Sequence, residues 1–238
     1  MLHFVKCMKD VLRGLFYLRL AGYVHRDISP GNTLFHVDLK QGKVSDVDFG
    51  KHESSCTVHD PITGTKDFMA VEYARGTYLY TFEDSPYPWT GSFATLPLSV
   101  DVDTRVIFNY YHDVESVAWI YLWFLYHCFP SPIYGVLTPN KQAELCKLYE
   151  GWEYFQDKVD QRVDIIDRHL MWTLVRNLRS IYEEYEDFVT PLALFLDLKQ
   201  AYQKLEKEPQ QPRTQDSCFH WPRSLFSLEL YEIYIARF

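Results

Sequence analysis

Two acidic residues and one amide stand at the ends of two short runs of β-type residues. Asp27 closes the triplet His25-Arg26-Asp27, Asn32 follows in the same loop, and Asp48 opens the triplet Asp48-Phe49-Gly50. Oxygen donors grouped in this way suit a hard cation such as Mg²⁺, which is commonly shared with phosphates. Phosphate transfer needs metal clamps and one base aimed at the acceptor hydroxyl. Asp27, Asn32 and Asp48 together supply oxygen donors for such a site. His25 is a candidate base without a carboxylate, beside the permanently charged Arg26.

These residues must be held by ordered elements. Phe4, Met8, Val11, Leu12, Leu15 and Phe16 recur at helical spacing, and Gly22 breaks the helix they predict. A loop with Pro30 and Gly31 covers residues 25–32. Strands are expected over 33–37 and 43–47, joined at Lys40-Gln41-Gly42 as a hairpin. Residues 51–68 read as a polar loop. Residues 73–111, with Pro86, Pro88, Pro97 and many aromatics, read as irregular. From 113 to 127 the chain is apolar nearly all round, the mark of a helix buried on every side. Further helices are expected over 140–156, 163–186 and 190–206, the last with Pro191 in its first turn. A Pro/Gln-rich linker covers 208–218. The tail beyond it holds Trp221, Leu225, Phe226, Leu228, Leu230, Tyr231 and Ile233, which need something to pack on. The fold class is mainly α with a small β-hairpin.

Bulk properties narrow the partners. The chain has 238 residues, 47% hydrophobic and 24% charged, which suits a globular domain with a real core. A net charge of -8 argues against nucleic acid or an anionic membrane as the main partner. The five cysteines, at 7, 56, 128, 146 and 218, form no Cys-x-x-Cys pair. That disfavours a disulfide scaffold or structural zinc site and points to a reducing compartment, cytoplasmic or nuclear. The segment MLHFVKCMKD has no secretory apolar stretch, and the longest apolar run, 117–129, falls short of the roughly 20 residues that span a bilayer.

The motifs also resemble a known family. HRDISPGN looks like a protein-kinase catalytic loop, and DVDFGK contains the Asp-Phe-Gly metal motif. Gly64 to Glu72 resembles the end of an activation segment, with Ala70-Val71-Glu72 where Ala-Pro-Glu is usual. His112-Asp113-Val114-Glu115-Ser116 opens the apolar helix like the kinase helix whose Asp braces the catalytic loop. In this order the four motifs are similar to the fungal-type protein kinase family, and they cover residues 1 to about 200. The resemblance implies ATP and Mg²⁺ as cofactors and phosphorylation of protein Ser or Thr hydroxyls. It implies that Asp27 takes the hydroxyl proton, that Asn32 and Asp48 hold Mg²⁺ with Phe49 and Gly50 beside the cofactor, and that Arg26 faces a phosphorylated segment. Ser54, Ser55 and Thr57 are the nearby candidate phosphosites. Asp113 and Glu72 are structural anchors by the same resemblance.

Departures from the pattern qualify it. Ser29 stands where a catalytic-loop Lys is usual and brings no charge to the γ-phosphate. His25 is better suited to a structural role than to that of a base, and Phe49 to core packing. The segment 72–112 is long for a kinase and reads as an insertion. The ten glycines include no Gly-x-Gly, so a phosphate-gripping loop is not expected. Residues 1–207 therefore read as the large, C-terminal lobe of a protein-kinase-like fold, with the N-terminal lobe missing and 219–238 as a separate aromatic tail. On that reading a protein partner is expected at the exposed lobe face or the 73–111 segment. Two rivals stay open: a pseudokinase binding module, and an aminoglycoside-type small-molecule phosphotransferase, against which the segment ending at Glu72 argues.

Overall fold

The computed structural model describes residues 2–56, 60–76, 79, 106–127, 138–140, 142–143, 146, 158–166, 178, 182, 191–206 and 223–238. Among these, helix predominates: α1 (Leu2–Ala21), α2 (Val71–Arg75), α3 (Tyr110–His127), α4 (Val159–Ile166), α5 (Pro191–Glu206) and α6 (Glu229–Arg237). Four short strands form two antiparallel pairs. β1 (Tyr23–Val24) pairs with β4 (Lys51–His52), and β2 (Thr33–His36) with β3 (Gln41–Val44). A mostly helical chain with small antiparallel sheets is compatible with a kinase-like architecture. Among the described residues no helix is long and apolar enough to cross a membrane. Cys7, Cys56 and Cys146 are free thiols.

α1 buries Val5, Met8, Val11, Leu12 and Leu15 on one face. Gly22 ends it at φ 85°, with its N–H donated to the Arg19 carbonyl at 3.1 Å. Only a residue without Cβ takes this left-handed turn at no cost. α3 has no polar face, and burial runs unbroken from Val106 to Leu122. It is the central rod of the core. Phe4 of α1 stacks on its Phe124, and Trp119 lies 4.7 Å from Phe195 of α5.

The hairpin differs from expectation in its turn. The strands pair Thr33 with Val44 and His36 with Gln41, so the chain reverses over 37–40, where Lys40 takes φ 47°. Gly42 is not a turn residue. It sits in β3 against α1, where a Cβ would come 2.6 Å from the Cys7 carbonyl oxygen. Its N–H donates to Asp10 Oδ2 at 3.0 Å. A glycine that permits close approach and one that permits a turn look alike in sequence. The polar stretch after residue 50 also differs: Lys51 and His52 join β1 as a strand, and a 3₁₀ turn follows over Glu53–Ser55.

α5 begins at Pro191, whose missing N–H is not needed at a first helical position. The tail lies against α1 and α5. Phe226, Leu230, Tyr231, Tyr234 and Phe238 are buried. Arg19 of α1 donates to the Phe226 carbonyl at 2.8 Å, and Arg237 holds Asp197 of α5 through two hydrogen bonds of 2.8 and 3.0 Å. The expected helices over 140–156 and 163–186 lie mostly outside the described residues, as do most of 73–111 and the 208–218 linker.

Candidate active site

Asp27 sits in the loop between β1 and β2, and three donors fix its carboxylate. Asn32 Nδ2 donates to Oδ2 at 2.9 Å, and Thr65 donates to Oδ1 through its backbone N–H at 2.8 Å and its hydroxyl at 2.9 Å. The loop closes on itself where Asn32 N–H meets the Ser29 carbonyl at 3.0 Å. Ser29 itself is buried. Asn32 Nδ2 also donates to the Asp27 carbonyl at 2.9 Å, so both amide hydrogens are spent on Asp27. The amide oxygen of Asn32 is thereby left as an acceptor.

His25 is buried and bridges two parts of the site. Its Nε2 lies 3.0 Å from the Ser45 carbonyl, and its Nδ1 accepts the Asp27 N–H at 3.3 Å. These contacts assign the proton to Nε2 and commit both nitrogens to the backbone. The ring positions Asp27, and both nitrogens being taken up by the backbone leaves neither to act on a substrate hydroxyl. Below the loop, Asp113 at the head of α3 accepts the His25 N–H on Oδ2 at 2.7 Å and the Arg26 N–H on Oδ1 at 3.0 Å. Burial pushes the Asp113 carboxyl up, against the pull of His25 and of these two N–H groups. Arg26, held from below, takes φ 75°, a conformation that L residues with side chains avoid.

The segment approaching α2 lies over this loop. Gly64 passes at φ 113° with room for no Cβ, since one would meet the Arg26 carbonyl oxygen at 2.7 Å. Buried Arg162 of α4 gathers the segment's carbonyls, donating to Lys66, Asp67 and Met69 at 3.0, 3.2 and 2.7 Å. Glu72 is buried: Oε1 accepts the Leu79 N–H at 2.7 Å and Oε2 lies 3.2 Å from His112 Nε2. A cavity of about 360 Å³ opens between the loop and the segment, lined by Ser29, Gly31, Thr65, Phe68, Trp123 and His127 among others.

Glu115 of α3 holds the first turn of α2. Its Oε1 accepts the Val71 N–H at 2.8 Å and the Trp119 indole N–H at 2.9 Å, while Oε2 makes no hydrogen bond. Burial pushes this carboxyl above the ordinary glutamate range, so the folded chain retains a proton that the unfolded chain releases above about pH 4.3. The folded state then binds more protons than the unfolded one, and this group's contribution to stability falls as pH rises above that value. Glu115→Gln keeps the acceptor and removes the titration. Urea denaturation from pH 5 to 8 should show the variant gaining on the parent chain as pH rises; parallel profiles would disprove it.

Asp48 and Phe49 stand in a 3₁₀ turn over Val47–Phe49, and Asp48 is exposed. Phe49 is 44% exposed, so it does not join the core as its sequence suggested. The single turn directs it outward, and the Val47 carbonyl is closed by Gly50 N–H at 2.8 Å. For a cation, Asn32 offers its amide oxygen and Asp48 an exposed carboxylate. Two protein oxygens suffice for Mg²⁺, which keeps several waters and takes phosphate oxygens besides, so the donor set fits that ion. No cage of three or more His, Cys, Asp or Glu side chains occurs among the described residues.

Thr65, Asp60 and Arg162 were not singled out by the sequence as functional. Gly64-Thr65 at the head of the segment was a signal for the first. The other two had none.

Part of the chain is similar to known proteins. It is 35% identical over 79 residues, 31% of this chain, to a probable serine/threonine-protein kinase WNK8 of Oryza sativa subsp. japonica, and covers 13% of that protein. It is 37% identical over 73 residues, 30% of this chain, to mitogen-activated protein kinase kinase kinase 17 of Arabidopsis thaliana, and covers 19% of it. The chain thus matches less than a fifth of the length of either relative. A profile of fungal protein kinases matches residues 1–125, from α1 through the loop of residues 25–32, the Asp-Phe-Gly turn and the segment into α3. This chain belongs to the fungal protein kinase family.

Proposed function

We propose that the chain is the large lobe of a protein kinase that transfers phosphate from ATP to Ser or Thr hydroxyls of proteins. The observation that carries this reading is the Asp27 carboxylate, fixed by Asn32 and by both donors of Thr65, a residue that lines an open cavity. Asp27 orients the acceptor hydroxyl and takes its proton. Asn32 and Asp48 are the residues to hold Mg²⁺, which when bound offsets phosphate charge. His25 keeps Asp27 in register with the strand leading to Asp48, and Asp113 keeps the loop on α3. Leu34 on the hairpin, with Val47 and Phe49 on the turn after it, is exposed, which supports a partner on that side, either a small lobe or another protein. Ser29 favours a second reading, binding without turnover, since a serine supplies no charge to the transferred phosphate.

Labelled-phosphate transfer to a generic protein substrate, with Mg²⁺ and ATP, separates the two. A general base contributes about 10²–10⁴-fold, so Asp27→Asn should reduce transfer by at least about a hundredfold. A rate unchanged by Asp27→Asn refutes the role, and absence of transfer alongside a Mg²⁺-dependent nucleotide thermal shift favours the second reading.

A further inference from the structure

We propose that Asp60 is a built-in anion that clamps the segment 60–65 onto the catalytic loop, so that its order does not depend on phosphorylation. Three charges from three parts of the chain meet here. Arg26 is almost wholly buried, its side chain 5% exposed. A buried guanidinium needs acceptors and a counter-charge. Its Nη2 donates to the Pro61 carbonyl and to the Tyr73 hydroxyl, both at 3.1 Å, and both are neutral. The counter-charge is Asp60, with Oδ2 at 3.9 Å. The other oxygen of Asp60 accepts from Lys51 Nζ, on β4, at 2.6 Å. The carboxylate is itself 10% exposed, so the buried Arg26 is neutralised away from bulk water, while Lys51, 34% exposed, pairs from the solvent side.

The clamp acts on the candidate base through the chain between. Asp60 starts a short arc, and the Pro61 carbonyl next to it takes donors from Arg26 and from Tyr73 at 3.1 and 3.2 Å. Thr65 ends the arc on the Asp27 carboxylate. Arg26 and Asp27, adjacent in sequence, thus grip opposite ends of one stretch. Asp60 is therefore a positioning residue for Asp27. A phosphate on Ser54 or Ser55 would find Lys51 and Arg26 already paired with Asp60, whose charge would repel it. Those hydroxyls are also engaged locally, with His52 Nδ1 and the His52 carbonyl respectively, each at 2.7 Å.

The consequence for turnover rests on the kinase reading, but the order of the arc does not. Hydrogen exchange of the Thr65 amide in the phosphatase-treated chain therefore decides the proposal even if no transfer is detected. Asp60→Asn, which keeps shape and loses charge, should speed exchange at Thr65 by about tenfold or more. Asp60→Glu should restore it, and phosphatase treatment should change nothing. Where transfer is measurable, it should fall with Asp60→Asn, return with Asp60→Glu and ignore phosphatase. Exchange within about twofold of the parent in Asp60→Asn would overturn the proposal. So would slower exchange, or transfer gained, on phosphorylation within 51–65. If Asp60→Asn does not fold, Lys51→Met serves with the same readout, and unchanged exchange there overturns it equally.

Discussion

A chain ending at residue 222 is expected to show no cooperative unfolding transition. The tail buries Phe226, Leu230, Tyr231, Tyr234 and Phe238 against α1, α3 and α5. Each such side chain is worth about 1.5–3 kcal/mol, on the order of 10 kcal/mol together and an upper figure because unfolded chains are partly collapsed. Whole domains have a stability of only about 5–15 kcal/mol, so a loss of this size removes most of it. Polar losses add to it. Arg19, buried over the Tyr110 ring at 4.3 Å, would lose the Phe226 carbonyl. Tyr234 would no longer donate to the Leu194 carbonyl at 2.6 Å, and Asp197 would lose both bonds from Arg237. Urea denaturation followed by circular dichroism is the check. A sigmoidal transition with a midpoint near that of the full chain would show that the tail is an accessory.

Replacing Asp113 with Ala should destabilise the chain by about 3 kcal/mol, because two buried backbone donors are orphaned at about 1–3 kcal/mol each. Relief of the buried carboxyl's desolvation opposes this, and its raised proton affinity shows that the burial is costly. The donors win because they cannot move. They belong to His25 and Arg26, in a loop tied to Ser45 and Asp27 and already holding Arg26 at φ 75°. For a chain of this size the loss corresponds to a drop in Tm of roughly 10 °C. Asp113→Asn, which retains one acceptor, should fall between. A melting temperature unchanged in the Ala variant would mean that the loop holds its shape without α3.

What the sequence disclosed and what it hid divide along physical lines. The Asp27–Asn32 pairing was legible because it is local: one loop, closed by its own Ser29–Asn32 turn. Asp113 was legible because a carboxylate heading an apolar helix must find buried donors. α1, α3 and α5 were legible from periodicity and from Pro191. The contacts of Thr65 with Asp27, of Asp60 with Arg26 and of Arg162 with the 66–69 carbonyls were hidden. Each joins residues far apart in the chain, and none of the partners carries a local pattern that demands the other. Phe49 misled because an aromatic beside Gly50 signals a motif without saying what covers the ring. Gly42 misled because a glycine's freedom and its smallness cannot be told apart until the neighbour, here Cys7, is known.

The arc from Asp60 to Thr65 is anchored at both ends to neighbouring residues of one loop, and that fixes how many residues it can contain. The Ile62 side chain between the anchors is open to solvent, so its identity is loosely constrained. One residue more or fewer would pull either the carboxylate off Arg26 or the threonine off Asp27. At Ile62 spelling is free to drift while the letter count of the stretch is not, and insertions that separate one member of the lineage from another should fall elsewhere in the chain.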